Sequence, residues 1–174
     1  MVKKFKPIPY ELFPRNREII NGTNCLAFAL GIDKTSQKGK NYNLENGDIP
    51  IEIAFLNKVY ELGFNPKNFK KISTEDEAKV NGYVIRVYDF ANVMLSDGRR
   101  TKDFHVIRRE PNGHWVHKPG FGYCPRKVSM EDWRIIFLIY GNRFVSFAIE
   151  LWEKAQCILG FFYNSDWHNF KKVV

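Results

Sequence analysis

The segment DFHVIRREPNGHWVHKPG (Asp103 to Gly120) constrains the fold more than any other stretch. Pro111 and Asn112 suit the central positions of a type I turn, and Gly113 is free to take the left-handed conformation that closes a three-residue hairpin loop. Glu110 then pairs with His114. Counting outward, Arg109 faces Trp115, Ile107 faces His117 and His105 faces Pro119. His105 and His117 therefore fall diagonally on one face, about 7–8 Å apart at the backbone, within reach for two imidazoles to share a hydrogen bond. A two-residue loop would send them to opposite faces, because side chains alternate along a strand.

The second informative segment is NGTNCLAFALG (Asn21 to Gly31), where a polar loop turns into a short apolar run. Cys25 to Leu30 is expected to be a buried helix, with Asn24 as N-cap and Gly31 as stop. Cys25 thus sits in the first turn, where three effects can lower a thiol pKa: the helix N-terminus, backbone N–H groups and a neighbouring imidazolium. Cys25 is the candidate nucleophile. His105 is the candidate base and proton donor, and His117 the group that orients its ring. The Cys25 amide is the candidate first half of an oxyanion hole, with Asn21 and then Asn24 as second donor. Trp115 joins the substrate-binding candidates, with Arg109 opposite it as a cation–π partner. Cys124 and Cys157 are read as small buried hydrophobes, His114 as solvated and His168 as a surface residue.

Around these segments the chain reads as one α+β domain over residues 1–174, with helices first and antiparallel strands later. Residues 1–20, with Pro7, Pro9 and Pro14, read as an extended arm, and Asp33 to Gly47 as a surface loop. Ile51 to Leu62 is the clearest helix: Ile51, Phe55, Val59 and Leu62 share a face and Gly63 ends it. Ser73 to Lys79 suggests a helical turn capped by Ser73, with Asp76 three residues on. Gly82 to Asp89 reads as a strand, Phe90 to Lys102 as a connection, and Phe104 to Arg109 and His114 to Lys118 as strands. Ser129 to Asp132 has the pattern of a capping box before a helix over Trp133 to Tyr140. Phe144 to Ala155 fits either helix or strand, and Cys157 to Tyr163 reads as a last strand.

Lysine and arginine outnumber acids 27 to 19 in 174 residues, a formal charge of +8. That favours anionic partners such as nucleic acid, cell-wall polymers, anionic lipid or an acidic protein, but the basic residues are scattered and no arginine-rich stripe appears. A basic binding module gripping nucleic acid or an acidic host protein is therefore the alternative to catalysis. MVKKFKPIPYELFPRN holds no apolar h-region, and Ile135 to Tyr140 is too short to span a bilayer, so a cytoplasmic protein with no membrane span is expected. Three cysteines with no CxxC pair fit a reducing compartment. Cys25, His105 and His117 are all possible zinc ligands, but without close-spaced ligand pairs no metal or other cofactor is expected.

Asn24-Cys25, Phe104-His105-Val106 and Val116-His117 resemble the papain-like cysteine peptidases, and more narrowly the NlpC-type cell-wall peptidases. There the order is Cys on a helix start, His on a strand, then a polar residue, often His, on the next strand. The twelve-residue step from His105 to His117 is similar. NCLAFALG with DFHVIRREPNGHWVHKPG resembles bacterial and phage proteins carrying NCYAYAL and WSHKPG-type elements. The resemblance covers residues 20–122 and, less closely, the final strand. It implies a papain-like fold with N-terminal helices on an antiparallel sheet. It also implies hydrolysis of a peptide or amide bond through an acyl-enzyme, with peptidoglycan stem peptides as the substrate of NlpC-type relatives. The chain lacks their DCSG-like segment and a papain-type glutamine upstream of the cysteine.

Overall fold

The computed structural model describes residue 5 and residues 7–32, 42–44, 49–78, 82–94, 98–120 and 122–149. Four α-helices and six strands lie among them: α1 (Arg17–Gly22), α2 (Cys25–Ala29), α3 (Ile51–Glu61), β1 (Phe69–Ile72), β2 (Tyr83–Met94), β3 (Arg100–Arg109), β4 (Trp115–His117), β5 (Arg126–Lys127), α4 (Met130–Tyr140) and β6 (Phe144–Ile149). The strands form one sheet in the order β1-β6-β2-β3-β4-β5, and every pairing is antiparallel. The class is α+β.

The two faces of the sheet are covered by different helices. Ile85, Val87, Val106 and Phe147 pack with Leu26 of α2 and Phe55 and Val59 of α3. Phe55 stacks on Phe147 with ring centroids 4.8 Å apart and meets Phe69 edge-on at 5.7 Å. The alternate residues Tyr88 and Ile107 pack instead against Ile136 and Tyr140 of α4. Period-two alternation along β2 and β3 thus sends one set of side chains to each layer.

The hairpin forms as its sequence demands. Glu110 N–H donates to His114 O at 2.9 Å, Gly113 N–H to Glu110 O at 2.9 Å, and Gly113 has φ +84°. Ile107 pairs with His117 and Arg109 with Trp115. Arg109, however, is not the cation over Trp115. The Arg86 guanidinium lies 4.7 Å from that ring and 4.3 Å from Phe144, while Arg109 bonds Glu75 at 3.3 Å. Arg86 comes from β2, two strands from Trp115, so the contact depends on sheet order rather than on the hairpin.

Other expectations shift. The arm over 1–20 contains α1: Asn16 Oδ1 accepts from Ile19 N–H at 2.9 Å, and Ile19 and Ile20 are buried. The three prolines masked that cap in the sequence. The 3-10 turn Glu75–Glu77 is capped one residue later than expected, by Thr74, and its box closes through Glu77 rather than Asp76. The Phe90 to Lys102 connection is largely strand, because β2 runs on to Met94 and β3 starts at Arg100. The loop read over Asp33 to Gly47 is described only at 42–44, where Tyr42 and Leu44 are buried rather than on the surface. Ser129 and Asp132 do close a capping box, and α4 begins there at Met130. Phe144–Ile149 is strand; β6 lies between β1 and β2 and is buried on both faces, which is why its apolar run had no clear period. The strand read over Cys157 to Tyr163, and His168, lie outside the described residues.

Candidate functional site

Helix α2 is held at both ends. Asn24 Oδ1 accepts from Ala27 N–H at 2.9 Å, the expected N-cap. Its Nδ2 donates to Tyr42 O at 3.0 Å and Asn43 Oδ1 at 3.3 Å. Both halves of the amide are therefore committed to structure, which removes Asn24 as a free oxyanion donor. At the other end the buried Arg108 donates from Nη1 to Phe28 O at 3.1 Å and from Nη2 to Glu110 Oε1 at 2.8 Å. Its guanidinium lies 4.7 Å from the Phe28 ring centroid. These contacts seat the helix on β3, so that Cys25 meets the backbone of Val106, the residue after His105.

The thiol is 7% exposed. Burial pushes it up to about 12, against hydrogen bonds from the amides of Val106, Leu26 and Cys25 that favour the thiolate. The expected lowering of its pKa is thus reversed. The helix start and backbone amides are present, but desolvation outweighs them and the resting thiol keeps its proton.

His105 and His117 face each other as the hairpin register requires, Nε2 of the first 3.1 Å from Nδ1 of the second. The His105 hydrogen bond goes to His117, on the side of the sheet that α4 covers, whereas Cys25 packs with Phe104 and Val106 in the layer of α2 and α3, and among the described residues no hydrogen bond joins the thiol to either ring. Burial, then the His117 and against it the Asp132 charge, push His105 down to about 3. His117 is lowered as well, by burial first, with Asp132 opposing and Arg126 adding to the fall. Both rings are neutral at neutral pH. A β-bulge in β2 between Tyr88 and Ala91 breaks the ladder directly opposite this point, where Tyr88 pairs with His105. Bulges commonly re-aim side chains beside functional sites.

Helix α4 supplies two neighbours that the sequence reading did not assign. Asp132 Oδ2 lies 3.4 Å from His117 Nε2, and Arg126 Nη2 bonds Asp132 Oδ1 at 2.6 Å. Burial alone would raise this carboxyl, but hydrogen bonds from Arg126 and Ser129 hold it well below the usual carboxylate range. Tyr140 stacks on the His105 ring at 6.3 Å and 18°. Asp132 was legible only as a cap residue, since nothing local links it to position 117. Lys118 is a third. It is fully buried, donates from Nζ to Gly120 O, and is pushed down to about 8 by burial, with the charges of Cys25 and Cys124 opposing. Asp103, raised by burial, also acts electrostatically on Cys25.

The remaining candidates scatter. Asn21 is exposed, with Gly122 its close neighbour. Trp115 is half-buried, packed edge-on against Trp133 at 6.0 Å beneath Arg86. Cys124 is exposed rather than buried, because it lies in the irregular run before β5. His114 is exposed as expected. Among the described residues no group of three or more His, Cys, Asp or Glu is placed to hold a metal ion, and no helix is long and apolar enough to cross a membrane.

No family model, curated protein or solved structure matches this chain.

Proposed function

We propose that this protein is a thiol-dependent hydrolase that cleaves a peptide or amide bond through an acyl-enzyme on Cys25. The observation that carries the reading is the 3.1 Å contact between the His105 and His117 rings on β3 and β4, beside the strand segment against which Cys25 lies. A buried imidazole pair backed by a carboxylate is costly to desolvate, and such costs concentrate where chemistry needs them.

In this reading the resting pair is neutral, thiol and imidazole, rather than a preformed ion pair. As the substrate carbonyl approaches, the thiol proton passes to His105 and the sulfur bonds the carbonyl carbon. His105 then gives that proton to the leaving nitrogen, the C–N bond breaks and the acyl group stays on sulfur. Water, deprotonated by His105, attacks the thioester and releases the acid with the thiol restored. The Lys118 ammonium favours the negative sulfur during attack. The Cys25 amide is the oxyanion donor in this scheme. The resemblance of the Cys25 and His105 to His117 segments to NlpC-type peptidases directs the substrate search toward peptidoglycan stem peptides, within a papain-like reading of the fold.

The test is release of free amine from a panel of peptides and peptidoglycan stem peptides. Wild-type protein turns over at least one. Cys25→Ala and His105→Ala lose about 100-fold or more while circular dichroism stays unchanged. Mass spectrometry on a slow ester substrate finds the acyl group on Cys25. Full turnover by Cys25→Ala would end the proposal.

A further inference from the structure

His117 Nε2 and Arg108 Nε are the buried side-chain nitrogens left without a hydrogen bond among the described residues. The other Arg108 nitrogens are engaged, Nη1 with Phe28 O and Ala29 O of α2 and Nη2 with Ile8 O and Glu110 Oε1. His117 Nε2 instead faces the Asp132 carboxylate at 3.4 Å. That carboxylate also accepts from Ser129 N–H at 3.0 Å and Ser129 Oγ–H at 2.8 Å, closing the cap of α4. One carboxylate therefore both starts the helix and meets the outer ring of the imidazole pair. Eight residues on, Tyr140 of the same helix lies over the inner ring.

Proton bookkeeping follows from this geometry. Each neutral ring carries one N–H. A carboxylate facing Nε2 of His117 favours the tautomer with its proton there, since the other would set a lone pair against the negative charge. Nδ1 of His117 then has only a lone pair to offer, so Nε2 of His105 must donate across the 3.1 Å contact. The lone pair of His105 is left on Nδ1.

We propose that Asp132 is a positioning residue that sets the tautomer of both rings, acting on His105 through His117, so that Nδ1 of His105 is the atom that accepts a proton. Acceptance from Cys25 rests on the hydrolase reading. The tautomer order does not. Other titratable or charged groups act on the pair too: Arg126 on His117; Tyr140, stacked on His105; and Tyr88, its cross-strand partner. Cys25, Lys118 and Asp103 lie further along the same strands and α2. None of them faces His117 Nε2 as Asp132 does.

Two-bond proton–nitrogen spectra of the full ¹⁵N-labelled chain at pH 7 test this directly. In the wild type, both rings should show a protonated Nε2 and a lone-pair Nδ1. Asp132→Asn keeps an acceptor for the helix cap but removes the charge, and should give mixed tautomers at His117 and a displaced Nδ1 signal at His105. A wild-type His105 with its proton on Nδ1 would overturn the assignment, and so would ring signals unchanged in Asp132→Asn. The wild-type spectrum decides even if the variant fails to fold, and it decides whether or not a hydrolysed substrate exists. With a substrate, Asp132→Asn should lower kcat about tenfold or more with little change in KM, part of the roughly 10²–10⁴ that a positioned base contributes. A rise in KM alone would assign Asp132 to structure only.

Discussion

Burial decides the resting state of Cys25 and His105. Both have neighbours that favour a charged form, amides for the sulfur and a carboxylate behind the rings, yet the thiol is pushed up to about 12 and the imidazole down to about 3. Moving a charge out of water costs more than these partners return. A thiol reagent offered to native protein at pH 8 should therefore label the exposed Cys124 well ahead of Cys25, and peptide mapping checks the order. Unfolding in denaturant should bring Cys25 up to the rate of Cys124; preferential native labelling of Cys25 would contradict the neutral pair. Lys118→Met removes a cation coupled electrostatically to Cys25. Where turnover is measurable it should lower kcat more than it raises KM, because the negative sulfur forms only during attack.

Among the elements, the hairpin and α2 do most to place the site. Gly113 takes φ +84° with nothing within 4 Å of an added Cβ, so strain there is purely conformational. Gly113→Ala should cost about 1–2 kcal/mol in urea unfolding, and Gly113→Asn less. Arg108→Ala leaves Glu110 buried without its guanidinium and withdraws a donor from the end of α2. It should cost about 3–5 kcal/mol, while the pair Arg108→Met with Glu110→Leu should recover much of that. At this scale the sequence was readable wherever a local pattern carried the information. Pro111-Asn112-Gly113 specified the loop and hence the facing of His105 and His117, Asn24 specified the cap, and Ser129 with Asp132 specified the start of α4. It was not readable at α1, where a cap at Asn16 was hidden by nearby prolines. Nor was it at β6, whose period vanishes because both faces are covered.

In the molecule as a whole, α4 closes over the face that carries the two histidines, and that burial makes stability depend on pH. His105 and His117 both have folded pKa values below the ordinary 6.5. The unfolded chain therefore binds more protons than the folded one below that pH. Their contribution is fully present above about pH 6.5 and drains as pH falls, toward about 3 for His105, by up to about 1.4 kcal/mol per unit for each ring. The melting temperature should fall between pH 7 and 4, and His105→Gln should flatten that fall. A melting temperature that rises on acidification would contradict it.

The sequence by itself determined what depends on residues close along the chain: the α+β class, the odd-numbered hairpin loop, the facing imidazoles, and a cysteine at the first turn of a capped helix. Turn conformation and side-chain alternation are local, so local residues specify them. Only the tertiary structure decided the protonation states, the approach of Asp132 and Tyr140 to the two rings, and the pairing of Arg86 rather than Arg109 with Trp115. Those depend on which helix covers which face of the sheet and how much water it excludes. Desolvation and contact between distant elements have no signature in a local pattern.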